Sequence, residues 1–229
     1  MNNYSYFSNT KIVQEYLKLF ILDVAAKYSR GNLVDLGCGS KPYEDIFAPH
    51  INSYFGVEHK EINELYFGET NKADLLADCT NTGLDSEAYD TLLSTEVLEH
   101  VFETELFLKE AFRLLKIGGI GIFTVPFIWQ IHGEPIDYYR FTKYSLSRLF
   151  KNAGFNIIEI RPLQGAYATL IQAQILSIYC RPVNNILLRA IRKVRNIIYF
   201  PILNFIALKF DKLFWNDKMC LTYAVIVKK

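Results

Sequence analysis

The chain predicts an α/β fold built on a mostly parallel sheet, and three observations carry that prediction. Short apolar runs alternate with segments of helical period between residues 10 and 160, the order that gives parallel strands joined by crossover helices. The first strand runs directly into Gly37-Cys38-Gly39, where the absence of Cβ atoms lets the backbone turn sharply and lets a bulky ligand approach it. Acids stand at the ends of three successive strands, Asp35, Glu58 and Asp78. That edge of an open α/β sheet is where nucleotides bind.

Each element has its own signal. Residues 10–28 read as an amphipathic helix, with Ile12, Val13, Tyr16, Leu17, Phe20, Ile21 and Val24 at near-helical spacing. Residues 32–36 form the first buried strand, and 43–47 begin a helix with Pro42 at its first position. Strands follow at 53–57, 72–77 and 90–94, with a loop over 84–89. A helix over 97–115 is stopped by Gly118-Gly119, and 120–125 is a fifth strand ended by Pro126. Thr142 caps a helix over 143–153, Gly154 closes it, and strands at 156–160 and 221–227 complete the series.

The 229 residues suit one domain, with 166–216 as a basic, apolar helical insertion. The net charge of +1 implies no general attraction to nucleic acid. Its distribution says more. Between residues 166 and 216 stand Arg181, Arg189, Arg192, Lys193, Arg195, Lys209 and Lys212 against Asp211 alone, so that segment carries +6 and the rest −5. Cys38, Cys79, Cys180 and Cys220 are widely spread, which reads as reduced thiols in a cytoplasmic protein. The N-terminus has no basic start followed by an apolar core, so no secretory signal is expected. With no regularly spaced cluster of His and carboxylates, no metal is assigned.

The glycine turn separates nucleotide classes. A dinucleotide fingerprint asks for a third glycine where this chain has Pro42. Walker A chemistry fails because Lys41 is not followed by Ser or Thr. Glu58, 21 residues after Gly37, can accept hydrogen bonds from both hydroxyls of a ribose. Asp78 can meet an adenine edge, with Cys79 over the ring.

Asp35-Leu36-Gly37-Cys38-Gly39, Gly56-Val57-Glu58, Asp78 and Ser94-Thr95-Glu96-Val97-Leu98-Glu99-His100-Val101 together resemble a class I S-adenosylmethionine-dependent methyltransferase. Leu114-Leu115-Lys116-Ile117-Gly118-Gly119 and Val125-Pro126-Phe127 fit the same pattern. The resemblance implies a Rossmann-like, seven-stranded sheet with an antiparallel last strand. It also implies that Asp35, Gly37 and Gly39 hold the amino-acid part of S-adenosylmethionine. Glu58 would take the ribose, Asp78 and Cys79 the adenine, and Thr95 and Glu96 would line the sulfonium side. The Gly-Cys-Gly-Ser-Lys-Pro-Tyr variant resembles a bacterial subgroup associated with surface-polysaccharide synthesis, which implies a sugar or lipid-linked acceptor.

The stretch from His132 to Thr142 follows the fifth strand and concentrates polar chemistry at the same edge. His132 is the candidate base, its ordinary pKa of ~6.5 suiting removal of a hydroxyl proton. Asp137, Tyr138, Tyr139 and Arg140 are candidate acceptor contacts, although Asp137 and Arg140 equally suit an ion pair that fixes the loop. A similar run in that subgroup makes it the acceptor-side lid by resemblance. His100 either faces the site or locks the helix through a backbone hydrogen bond, the structural reading being preferred. The 166–216 segment, whose apolar run is broken by Pro201 and Asn204, suits packing, homodimerisation or peripheral contact with an anionic membrane. Two other functions stay open: a non-catalytic module that keeps the cofactor fold, and a nicotinamide-dependent oxidoreductase, which Pro42 disfavours.

Overall fold

The computed structural model describes residues 9–64, 72–179 and 185–229, with the backbone alone along 188–192 and at 195. These residues gather into two compact units, one from 20–64, 72–127, 131–161 and 223–229, the other from 9–19, 128–130, 162–179 and 185–222.

The larger unit is organised by a seven-stranded sheet of order β3-β2-β1-β4-β5-β7-β6, mostly parallel with β7 antiparallel. The strands are β1 (Asn32–Leu36), β2 (Ser53–Glu58), β3 (Leu75–Leu76), β4 (Tyr89–Thr95), β5 (Leu115–Pro126), β6 (Asn156–Pro162) and β7 (Thr222–Lys228). β1 is central and apolar on both faces, with Leu33, Val34 and Leu36 fully buried, as a parallel strand covered on two sides requires. Its register sets Asp35 opposite Gly56 of β2 and Leu93 of β4. The helices of the whole chain are α1 (Lys11–Tyr28), α2 (Glu44–Phe47), α3 (Lys60–Ile62), α4 (Thr104–Leu114), α5 (Lys143–Asn152), α6 (Ala166–Tyr179) and α7 (Ile186–Leu213). α4 buries Phe107, Leu108, Ala111 and Leu114, one stripe of a 3.6-residue period. α5 buries Leu146 and Phe150, the latter edge-on to Phe123 of β5 at 4.8 Å. Thr142 caps α5 by accepting from the Ser145 N–H.

The helix expected over 97–115 is two pieces, a 3₁₀ turn at Leu98–His100 and then α4. Gly118 and Gly119 do not stop it; β5 begins at Leu115 and carries both glycines inside the strand. Tyr89 pairs with Leu115 and Thr91 with Ile120, so extra residues of β5 must bulge out of the ladder. Gly118, at φ +79°, supplies the left-handed backbone that this requires. Pro42 does not open α2, which starts at Glu44. The chain before it is still turning, with Lys41 at φ +53°.

In the smaller unit, Ile12, Ala168, Ile175, Phe200, Leu203, Ala207 and Leu221 form a core with Tyr16 and Trp129 at its margin. Fully buried Asp211 accepts from the N–H groups of Gly165 (2.8 Å) and Ala168 (3.0 Å) and from the Tyr16 hydroxyl (2.8 Å). It thereby satisfies donors at the start of α6 that the helix itself leaves open. α7 runs unbroken through Pro201 and Asn204. Among the basic residues of the insertion, Lys193, Lys209 and Lys212 are exposed. Arg181 and the side chains of Arg189, Arg192 and Arg195 lie outside the described residues, as does Cys180. Cys38 and Cys79 are buried free thiols, and Cys220 is buried as well. No described helix is long and apolar enough to cross a membrane.

Candidate functional site

The turn after β1 folds back onto the end of β2. The N–H groups of Gly37 and Cys38 both donate to the Val57 carbonyl, at 2.9 and 3.1 Å. Gly37 stands at φ +80°, and a Cβ there would meet Val97 Cγ2 at 2.3 Å, so both backbone and space require glycine. The next N–H, that of Gly39, donates to Glu58 Oε2 at 2.8 Å, while Glu58 Oε1 accepts from the His59 N–H at 2.9 Å. Burial raises the Glu58 carboxyl, and these backbone donors oppose the rise. A carboxylate has roughly four lone-pair directions, so two remain for a ligand.

Asp35 lies beneath the turn. Its Oδ2 accepts from the Tyr54 hydroxyl at 2.5 Å, and its Oδ1 is buried without a hydrogen bond. Burial pushes its carboxyl up to about 7, against the stabilising Tyr54 hydrogen bond. Behind the turn, Lys41 pairs with Asp74, which also accepts from the Gly56 N–H at 2.7 Å.

A cavity of 670 Å³ opens at this edge, within the size range of small-molecule sites. Gly37, Glu58, Asp78, Cys79, Thr95, Glu96, His132 and Tyr138 of the sequence-predicted set line it. Asp78 is exposed and bonded through one oxygen to the backbone and hydroxyl of Thr80, and buried Cys79 follows it. Thr95 and Glu96 end β4. Glu96 adopts φ +55° while its N–H donates to the Thr124 carbonyl at 2.9 Å. A left-handed backbone at a residue other than glycine is strain of the kind that gathers at functional sites. Burial, then the charge of Glu99, raises the Glu96 carboxyl.

Asp35, Gly39, Asp137, Tyr139 and Arg140 do not line the cavity. Asp137 and Arg140 make a two-pronged ion pair at 2.6 and 2.7 Å, and Arg140 holds the Asp137 carboxyl down at about 2. Asp137 also accepts from the His132 N–H at 2.9 Å, so the pair fixes the loop that carries His132. Tyr139 donates to the Phe102 carbonyl and packs on Phe102 and Phe141, whereas Tyr138 is exposed.

Sequence reasoning missed His59, Val97, Phe102 and Ile136, which also line the cavity, as does His100. His100 does bond backbone as expected, its Nδ1 lying 2.6 Å from the Ile136 carbonyl. Its ring nevertheless also faces the cavity, edge-on to His132 at 4.7 Å. Glu99 is fully buried, and its Oε1 lies 3.6 Å from His100 Nε2 and 3.7 Å from His132 Nε2. Glu99, ahead of Asp137, raises the His132 imidazole above the ordinary histidine range. The sequence showed no such grouping because a loop, not a regular spacing, brings His132 to Glu99-His100.

Residues 34–123 match the model of a methyltransferase domain. No curated protein matches the chain. Among solved structures, a S-adenosylmethionine-dependent methyltransferase from Archaeoglobus fulgidus is 15% identical, with 97% of this chain and 95% of that one covered and a TM-score of 0.57. The [4+2]-cyclase SpnF is 16% identical over 93% of this chain and 80% of its own, with a TM-score of 0.58. Phosphoethanolamine N-methyltransferase 2 of Haemonchus contortus, solved with S-adenosylmethionine, is 13% identical over 99% of this chain and 58% of its own, with a TM-score of 0.54. Such distant likenesses show a shared fold, and a fold can host more than one chemistry. The domain match over residues 34–123 and the shared fold make this chain similar to S-adenosylmethionine-dependent methyltransferases.

Proposed function

We propose that the cavity transfers a methyl group from S-adenosylmethionine to a hydroxyl oxygen of a sugar or lipid-linked glycan. The observation that carries this reading is the continuity of the cavity lining, from Gly37, Glu58 and Asp78 through Glu96 to His132 and Tyr138. One end offers a nucleoside-sized set of acceptors; the other offers an imidazole.

The residues present fit the cofactor. Asp35 Oδ1, buried without a hydrogen bond, suits the ammonium of the amino-acid part, and Gly37 and Gly39, lacking side chains, let a ligand approach the turn closely. The unused lone pairs of Glu58 suit the ribose hydroxyls, and Asp78 and Cys79 suit the adenine edge and face. When bound, the cofactor supplies an electrophilic methyl on a sulfonium. The chain then contributes positioning, which can supply much of the barrier reduction in such a displacement. Thr95 and Glu96 border the transferred methyl. Tyr138 borders the acceptor, Asp137, Tyr139 and Arg140 hold the loop around it, and His132 receives the hydroxyl proton.

Calorimetric titration with S-adenosylhomocysteine is expected to show one site per chain, and NAD is expected to give no heat. No heat with S-adenosylhomocysteine would sink the reading.

The insertion over 166–216 favours a lipid-linked acceptor, with a cytoplasmic protein working at the inner membrane surface. α7 exposes Ile197, Ile198, Ile202 and Phe205 beside exposed Lys193 and Lys209, a mixture suited to an anionic bilayer surface. Vesicles containing anionic lipid are expected to pellet the wild-type chain. They are expected to pellet several-fold less of a variant carrying Ile198→Asp and Phe205→Asp. Equal sedimentation of the two removes the membrane from the proposal.

A further inference from the structure

The geometry points to a second binding site within this cavity: we propose that Glu99, His100 and His132 hold a divalent transition-metal cation of the zinc type. The inference rests on the methyl-transfer reading and refines its acceptor side. One ligand atom from each residue lies within 4.8 Å of the other two.

Both imidazoles are oriented for the task. His100 Nδ1 lies 2.6 Å from the Ile136 carbonyl oxygen, which can only accept, so Nδ1 carries the proton and Nε2 offers a lone pair. With a metal on Nε2, His132 Nδ1 would carry its proton toward Asp137 Oδ2, 3.3 Å away. Arg140 Nη2 is 3.4 Å from that nitrogen but is engaged by Asp137 at 2.7 Å. A histidine whose second nitrogen is held by a carbonyl or carboxylate is the usual outer support of a metal ligand.

The two Nε2 atoms then face Glu99 Oε1 at 3.6 and 3.7 Å. These separations are too long for hydrogen bonds. They are close to the roughly 3.4 Å between neighbouring ligand atoms that each lie about 2.1 Å from one tetrahedral ion. Without a cation, the two Nε2 atoms face a carboxylate that is fully buried and accepts no hydrogen bond at either oxygen. A buried carboxylate left so is costly. One bound cation satisfies all three groups. Two nitrogens and one carboxylate suit zinc and its neighbours better than magnesium or calcium.

Such a set leaves a coordination position open, and both histidines line the cavity. The acceptor hydroxyl would enter there and become more acidic. Its proton leaves to solvent water, the oxygen–methyl bond forms, and the methyl–sulfur bond breaks with its electron pair retained by sulfur as a neutral thioether. His132 then serves the acceptor through the ion instead of as a free base.

The test is titration of the chelator-treated full chain with Co²⁺, followed by displacement with Zn²⁺. One Co²⁺ per chain is expected, with the visible bands of a nitrogen and oxygen site and no thiolate charge-transfer band. Glu99→Gln and His132→Gln should each weaken binding at least tenfold. Melting curves and S-adenosylhomocysteine binding on the same metal-free samples report that each variant is folded. Absence of one-to-one Co²⁺ binding, a thiolate spectrum, or binding unchanged in both variants overturns the metal site while S-adenosylhomocysteine still binds. Loss of S-adenosylhomocysteine binding by the wild type overturns the underlying reading instead.

Discussion

Asp35→Asn is expected to weaken S-adenosylhomocysteine binding by roughly 10- to 100-fold, while its stability relative to wild type rises with pH. The first effect is the loss of a charged partner for the ligand's ammonium, since a hydrogen bond to a charged group contributes about 1.5–3 kcal/mol. The second follows from burial, which raises the Asp35 carboxyl to about 7. In the unfolded chain the same group ionises near ~3.9. Between those values the folded state binds the extra proton, so the Asp35 contribution falls as pH rises and levels off above about 7. The full span is on the order of 4 kcal/mol. Asparagine has no such slope. The variant-minus-wild-type difference in unfolding free energy should therefore climb between pH 4 and 8, whatever constant cost the amide adds. Ligand binding should show the linked behaviour, with wild-type affinity declining below pH 7 because Asp35 must release a proton to meet an ammonium. Denaturant unfolding across that range decides the matter, and a flat difference means that Asp35 ionises normally in its buried place.

The donor side of this site was legible because its logic is local. A strand that must be apolar, a turn that must be glycine and an acid at the next strand's end all lie within short stretches, and Glu58 does reach back to the Gly39 N–H. The acceptor side was legible in composition but not in assignment. Asp137 and Arg140 looked equally suited to substrate and to each other, and their pairing depends on a loop conformation that no periodicity encodes. The same loop carries His132 to Glu99 and His100, across a separation in sequence that hides the grouping. Facing the site and bonding backbone were weighed as alternatives for His100, yet a single imidazole bonds backbone through one nitrogen and faces the cavity with its ring.

Among the elements, β1 was recovered to the residue because a buried parallel strand is a continuous apolar run. The boundary between α4 and β5 was not. A Gly-Gly pair after a helical pattern is the usual stop signal, but here the chain had already become strand at Leu115 and used Gly118 to bulge. Pro201 lies inside a helix. A proline inside a helix costs one backbone hydrogen bond and a steric clash, and in α7 this local cost is overridden by burial of Phe200, Leu203 and Ala207 in a shared core.

Asp211→Ala is expected to be the most damaging single change in the helical unit, lowering stability by about 3–5 kcal/mol. Asp211 is the lone acid among the basic residues of the insertion. It is fully buried, with three donors converging on it. Alanine would leave the Gly165 and Ala168 N–H groups and the Tyr16 hydroxyl without their acceptor. Each stranded buried donor costs about 1–3 kcal/mol, less than additively because the three share one partner. Two controls separate this from a generic loss of charge. Tyr16→Phe removes one donor and leaves the two backbone contacts, so its cost should stay near 1 kcal/mol. Asp211→Asn keeps one acceptor oxygen and should fall between the two. If alanine and asparagine prove equally mild in urea unfolding, Asp211 does not hold the start of α6. If Tyr16→Phe matches alanine, the hydroxyl carries the interaction and the helix start depends on it little.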